Sequence, residues 1–224
     1  GGGVTASVNA AENQTAVTTV TSTDADSSDD VTYGLTGGVD QGKFAINAAT
    51  GVLTFQAAPD FETPTDAGDT AGNNTYVVEV TATDDGAGTL TDVQTITVTV
   101  TNANDNPVIT SDGGGSTASV DAAENQTAVT TVTSTDADSN TVTYSLTGGA
   151  DQAKFAINAA SGALTFSVAP DFEIPTDTDT DNDYLVEVTA TDGTNSDVQT
   201  ITVTVTDANE APANIQLSNA SIAE

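Results

Sequence analysis

Apolar residues alternate with small polar ones along most of the chain. Ile96, Val98 and Val100 stand between threonines, and Val142, Tyr144 and Leu146 stand between Thr and Ser. A period of two puts successive side chains on opposite faces, the mark of a half-buried strand, and Thr and Val suit a pleated surface. On this pattern repeat one is predicted to form strands near Val4–Val8, Ala16–Ser22, Val31–Leu35, Phe44–Ile46, Val52–Phe55, Tyr76–Thr83 and Val93–Thr101. Asn47–Gly51 and Asn158–Gly162 read as Gly-containing hairpin loops. No segment sustains a 3.6-residue period, so helix should be scarce. Seven short strands in roughly 105 residues is the spacing of a sandwich.

The same pattern occurs twice. Residues 10–27 recur unchanged as residues 122–139, Lys43–Asn47 matches Lys154–Asn158, and Ala58–Glu62 matches Ala169–Glu173. Val93–Thr101 returns as Val198–Thr206. Such self-similarity marks a repeat architecture. It divides the chain into repeat one at 1–106, repeat two at 107–211 and the start of a further repeat at 212–224. With Gly1–Gly3 in front and an unfinished unit behind, the sequence reads as a piece of a longer array.

Charge narrows the chemistry. Asp and Glu total 33 against two lysines and no arginine, a formal net charge of −31. That balance offers no phosphate-neutralising patch, so no nucleic-acid partner is expected. There is no polybasic segment for anionic lipid either. Without Cys, His, Met or Trp, the chain can build no disulfide, thiolate or imidazole metal site, Ser-His-Asp triad or Cys-His dyad. No run of about 18 apolar residues is present to span a membrane. What remains is carboxylate chemistry, and a surface so acidic repels itself unless cations bind.

The carboxylates gather at fixed places in each repeat. Glu12 and Glu124 follow the opening strand, and Asp60 with Glu62 and Asp171 with Glu173 sit in a loop. The linkers carry Asn102, Asn104, Asp105 and Asn106, then Asp207, Asn209 and Glu210. Asp24 with Asp26 and Asp136 with Asp138 form Asp-x-Asp pairs, and Asp84 and Asp192 form a fifth group, each after a Thr-Ala-Thr segment. Calcium takes six to eight oxygens from carboxylates, amides and carbonyls, the donor types gathered here.

The A-E-N, D-A-D, D-F-E, A-T-D and N-D-N-P motifs resemble the calcium motifs of cadherin repeats, in that family's order and nearly end to end in both units. The resemblance implies an all-β fold of two tandem seven-stranded Greek-key β-sandwiches with immunoglobulin-like architecture. It implies Ca2+ as the bound ion and no enzymatic activity. Carried onto this sequence, it implies one complete cluster in which Glu12, Asp60 and Glu62 come from repeat one, Asn104 and Asp105 from the linker, and Asp136, Asp138 and Asp192 from repeat two. Asn102 stands where the family often has Asp, and Glu210 replaces the linker Asp of the second junction. Glu124, Asp171, Glu173, Asp207, Asn209 and Glu210 lack the Asp-x-Asp of a following repeat, and Asp24, Asp26 and Asp84 lack a preceding linker. Those end sites are expected to be weak or empty. The near-identical, Thr- and Asp-rich copies are similar to those of large bacterial surface adhesins, which implies an extracellular, cell-surface or secreted location. The expected partners are neighbouring repeats of the same chain, with a cell-surface or polysaccharide target for the whole protein and a monomeric state for this piece. The Trp that some animal cadherins exchange is absent, which argues against homophilic pairing.

Other readings are weaker. Asp177, Asp179, Asp181 and Asp183 alternate like the start of an EF-hand loop, but Asn182 stands at the sixth position and Val188 at the twelfth, so the segment reads as a solvated loop. A glycosidase pair could be sought in Asp60 and Glu62, yet no Trp, His or Arg is present to hold a sugar. A carbohydrate- or ice-binding module could use the Thr95, Thr97, Thr99 and Thr101 face. A ligand cleft in one repeat alone would favour it.

Overall fold

The computed structural model describes residues 4–25, 30–68, 70–86 and 88–212. Two compact units divide at Ala103 and Asn104. Apart from Pro212, the expected start of a third repeat lies outside the described residues.

Repeat one holds β1 (Thr5–Ala11), β2 (Ala16–Thr19), β3 (Val31–Gly37), β4 (Phe44–Ile46), β5 (Val52–Phe55), β6 (Thr75–Asp84) and β7 (Thr91–Thr101). One sheet has the order β1-β7-β6-β3 and the other β2-β5-β4. Repeat two repeats this plan with β9 (Thr117–Ala123), β10 (Ala128–Thr131), β12 (Thr143–Gly148), β13 (Phe155–Ile157), β14 (Ala163–Phe166), β15 (Asp183–Thr191) and β16 (Ser196–Thr206). It adds β8 (Val108–Ile109), paired antiparallel with β11 (Ser134–Thr135). Apart from three short 3-10 turns, the described residues form no helix. The all-β tandem sandwich expected from the alternation is therefore present.

The period of two becomes a core because of register. Pairing Tyr76 with Val98 and Val78 with Ile96 puts these four side chains on one face, and all are buried. Across from them Phe44 stacks on Phe55 at 4.7 Å, and Tyr76 meets both rings edge-on. Phe155, Phe166 and Tyr184 reproduce the trio in a separate core. Each such side chain contributes about 1.5–3 kcal/mol by burial, so a chain with few aromatics concentrates them at one point. Lys43 and Lys154 end 3-10 turns just before the buried Phe44 and Phe155. The turn before each brings backbone close at Gly38 and Gly149. Both have φ above +90°, and a Cβ there would strike the backbone of Val77 or Leu185.

Two strands depart from the prediction in ways that matter for the site. β1 runs on to Ala11 because it pairs parallel with β7 as far as Ala11 against Thr101. Glu12 N–H then donates to Thr101 O at 3.1 Å, and Glu124 N–H to Thr206 O at 3.1 Å. That parallel ladder delivers each glutamate to the end of its sandwich. β2 stops at Thr19 rather than Ser22, after a register shift between Ala16 and Thr18.

Candidate metal centres

At the end of repeat one, Glu12 is 3% exposed. Its Oε2 accepts from Phe61 N–H at 2.7 Å and its Oε1 from Ala103 N–H at 2.7 Å. One side chain thus ties the Asp60–Glu62 loop to the segment leaving β7. Thr63 N–H donates to Asp60 Oδ1 at 2.7 Å, and Asn102 Nδ2 donates to Glu62 Oε1 at 2.9 Å. Glu12 and Glu62 offer oxygens within 4.8 Å of each other.

Repeat two builds the same end. Glu124, also 3% exposed, accepts from Phe172 N–H at 2.9 Å and Ala208 N–H at 2.8 Å. Those amides, Ala208 first, hold its carboxyl below the ordinary glutamate range. Glu124, Asp171 and Glu173 each present an oxygen within 4.8 Å of the others. For Glu173 its own backbone amide acts to lower the carboxyl, yet burial and the charges of Glu124, Asp207 and Glu210 together push it up. Glu210 Oε1 accepts from Asn125 Nδ2 at 2.6 Å. This is a group of anions crowded without a counter-charge.

The front of repeat two joins Asn104 and Asp105 to the Asp-x-Asp loop. Asp105 N–H donates to Asp138 Oδ2 at 2.7 Å, and Asn104 Nδ2 to Asp192 Oδ2 at 2.7 Å. Asp192 Oδ1 accepts from the amides of Thr194 and Asn195 at 2.6 and 2.7 Å. The Asn104 amide, then those of Asn195 and Thr194, hold Asp192 below the ordinary aspartate range. Asp136 Oδ1 accepts from Asn140 N–H at 3.1 Å, while its Oδ2 is buried with no hydrogen-bond partner. An orphaned buried carboxylate oxygen suits coordination of a hard cation.

Sequence reasoning missed two members of this cluster. Asn140 Nδ2 donates to Asn104 Oδ1 at 2.7 Å, and Asn195 Nδ2 to Asn104 O at 3.0 Å. Asparagine is so common in the loops of this chain that neither stood out. Two buried aspartates were also missed. Asp40 accepts from Ala67 and Val77 N–H at 2.6 and 2.8 Å, and Asp151 from Thr178 and Leu185 N–H at 2.8 and 2.9 Å. They are structural staples of the loops before β6 and β15.

Of the remaining predicted ligands, Asp26 lies outside the described residues. Asp84 Oδ1 caps Leu90 N–H at 3.0 Å. Asn106, Asp207 and Asn209 are exposed linker positions.

Repeat one also carries a cleft of about 820 Å³, lined in part by Val20, Asp84, Leu90, Gln94 and Ile96. In repeat two Ile109 of β8, 1% exposed, and Gln199, 0% exposed, fill the equivalent place, with Gln199 Nε2 donating to Gly115 O at 3.0 Å. No aromatic side chain lines the cleft, so it lacks the stacking surface a sugar site uses.

With the two sandwiches and their acidic ends in view, the class is defined. A family model for the cadherin domain matches residues 5–101 and 116–206. The chain belongs to the cadherin family, as a tandem pair of cadherin domains, which are extracellular, non-enzymatic modules of the cell-adhesion type. It is 34% identical to protocadherin Fat 2 of Rattus norvegicus over 148 residues, 63% of this chain. It is 33% identical to protocadherin Fat 1 of Homo sapiens over 156 residues, 68% of this chain. The chain spans 3% of the length of either relative. The solved structure of human protocadherin-24 EC1-2 matches with a TM-score of 0.53 at 22% identity, over 90% of this chain and 95% of that one, a likeness of fold. No helix among the described residues is long and apolar enough to cross a membrane.

Proposed function

We propose that this chain is a calcium-stiffened spacer of a large extracellular adhesin. Calcium would be held by Glu12, Asp60 and Glu62 of repeat one, Asn104 and Asp105 of the linker, and Asp136, Asp138 and Asp192 of repeat two. The observation that carries the reading is the buried, unpartnered Asp136 Oδ2, beside a loop neighbour, Asp138, that accepts from Asp105 N–H, with Asp192 of the β15–β16 turn accepting from Asn104. A divalent ion supplies the missing partner and cancels the mutual repulsion of the acids. Ligation by linker and loops together would stiffen the chain, which is what a spacer needs. Extracellular calcium sites commonly bind at about 10⁻⁴–10⁻³ M, a range that matches an extracellular setting.

The outer groups would bind more weakly. Glu124, Asp171, Glu173, Asp207, Asn209 and Glu210 would wait for a following repeat, and Asp24, Asp26 and Asp84 for a preceding linker. The near-identical copies, rich in Thr and Asp and free of Cys and Trp, support a bacterial surface adhesin as the source, with the target recognised by domains elsewhere in that protein. Calorimetric titration of calcium into the chelator-treated chain tests the reading. Binding with a raised melting temperature, reduced in Asp136→Ala, is expected. No binding heat and an unchanged melting temperature would overturn it.

A further inference from the structure

The loop between β14 and β15 holds, beyond Asp171 and Glu173, a second acidic group. Asp177, Asp179 and Asp181 each place one carboxylate oxygen within 4.8 Å of the others. The segment expected to be a solvated loop is exposed at 178–181, but Asp177 is only 5% exposed. Its Oδ2 accepts from Asp181 N–H at 2.9 Å, and its Oδ1 is buried with no hydrogen-bond partner. Burial alone would raise this carboxyl, but the amides of Asp181, of Asp177 itself and of Asn182, with the Asp179 side chain, outweigh it and keep Asp177 low and anionic. Asp179 is pushed up, first by the charge of Asp181. Residues 167–182 contain no Lys or Arg to offset these charges.

Repeat one supplies the comparison. Asp66 occupies the equivalent place and is 6% exposed. Its longer loop wraps amide donors around the carboxylate: Gly72 and Asn73 N–H reach Oδ2 at 2.8 and 3.3 Å, and Asn74 N–H reaches Oδ1 at 3.1 Å. Both oxygens are satisfied. Repeat two has a shorter loop, leaves Asp177 Oδ1 buried without a hydrogen-bond partner, and brings one carboxylate oxygen each of Asp179 and Asp181 within 4.8 Å of an Asp177 oxygen. A buried anion that has exchanged N–H donors for other anions is stable only with a cation or a shared proton.

We propose that Asp177, Asp179 and Asp181 of repeat two bind one calcium ion within the loop, with water completing the shell, independently of the ions at the repeat ends. The ion replaces the amide donors of the Asp66 loop and fastens the β14–β15 connection from inside the repeat. The ligand count, three carboxylates and solvent, suits a hard cation of flexible coordination.

The test is calcium binding to the full chain by equilibrium dialysis, for the wild type, for Asp179→Asn with Asp181→Asn, and for Asp171→Asn with Glu173→Gln. The first pair of substitutions falls on exposed side chains and leaves Asp177 and its amide contact in place, so folding is retained. The expected result is the loss of one bound ion per chain in the Asp179/Asp181 variant, with that ion kept in the Asp171/Glu173 variant. Terbium luminescence gives a second readout, since Tyr184 Oη accepts from Thr176 N–H at 3.0 Å beside the loop. The luminescence should fall in the Asp179/Asp181 variant and in Tyr184→Phe. Equal calcium stoichiometry in the wild type and the Asp179/Asp181 variant would overturn the proposal. If the Asp171/Glu173 variant alone loses calcium, the ends bind ions and the loop does not.

Discussion

Replacing Glu12 by alanine separates the structural use of this carboxylate from its use as a ligand. Its two oxygens take the N–H groups of Phe61 and Ala103, both at 2.7 Å, in a side chain that is 3% exposed. Alanine leaves both donors without their acceptor. An unsatisfied buried donor costs about 1–3 kcal/mol. Phe61 and Ala103 are themselves only half-buried, so water recovers part of this, and a loss of about 2–3 kcal/mol is expected in chelator. For a domain of this size each kcal/mol moves the melting temperature by about 4–8 °C, so the repeat-one transition should fall by about 10–20 °C. Differential scanning calorimetry in chelator reads this directly, because repeat two has its own core and its transition should stay in place. Glu12→Gln keeps one acceptor and should lose about half as much. Adding calcium then isolates the ligand role. A hundredfold excess over Kd stabilises the wild type by about 2.7 kcal/mol, and Glu12→Ala should gain clearly less. A repeat-one transition within about 2 °C of wild type in chelator would refute the hydrogen-bond argument. An equal calcium gain in both proteins would refute the ligand assignment.

Three further outcomes follow from the same geometry. Glu173 has a raised carboxyl, so the fold favours its neutral form and loses stability as pH rises through that value; Glu173→Gln should raise the melting temperature in chelator at pH 7 and flatten this dependence. Glu124 has a lowered carboxyl, so its contribution is present above the ordinary glutamate range and is lost as pH falls through the lowered value. Acid titration followed by circular dichroism should show Glu124→Gln with a shallower acid limb than wild type. Phe55→Ala removes a ring that is 3% exposed and stacked on Phe44. It should cost about 3–5 kcal/mol, seen as a shift of one calorimetric transition; movement of both would contradict two separate cores.

The strands were legible because each repeat alternates Thr with Val or Ile at positions that register turns into one buried face, as for Val98 and Val100. β8 and β11 were not, since two-residue strands such as Val108–Ile109 carry no period. The acidic motifs were visible because they recur in order, and the structure shows how backbone places them: a parallel β1–β7 ladder delivers Glu12, and Asp105 N–H fixes Asp138. What sequence could not rank was burial among 33 acids. Asp40 and Asp151 sit inside as staples, and Asp177 lies inside a loop that alternation made look solvated. Whether an aspartate is inside depends on which amides the loop turns toward it, as the contrast of Asp66 with Asp177 shows, and that is set by loop length rather than by residue type.

The central claim is that calcium acts on the linker between the repeats. Small-angle X-ray scattering of the chain in calcium and in excess chelator, with Asp136→Ala alongside, tests it most directly. The account predicts a longer, narrower distance distribution in calcium for the wild type, with the variant profile unchanged between the two conditions. A wild-type profile that is the same in calcium and chelator would contradict it.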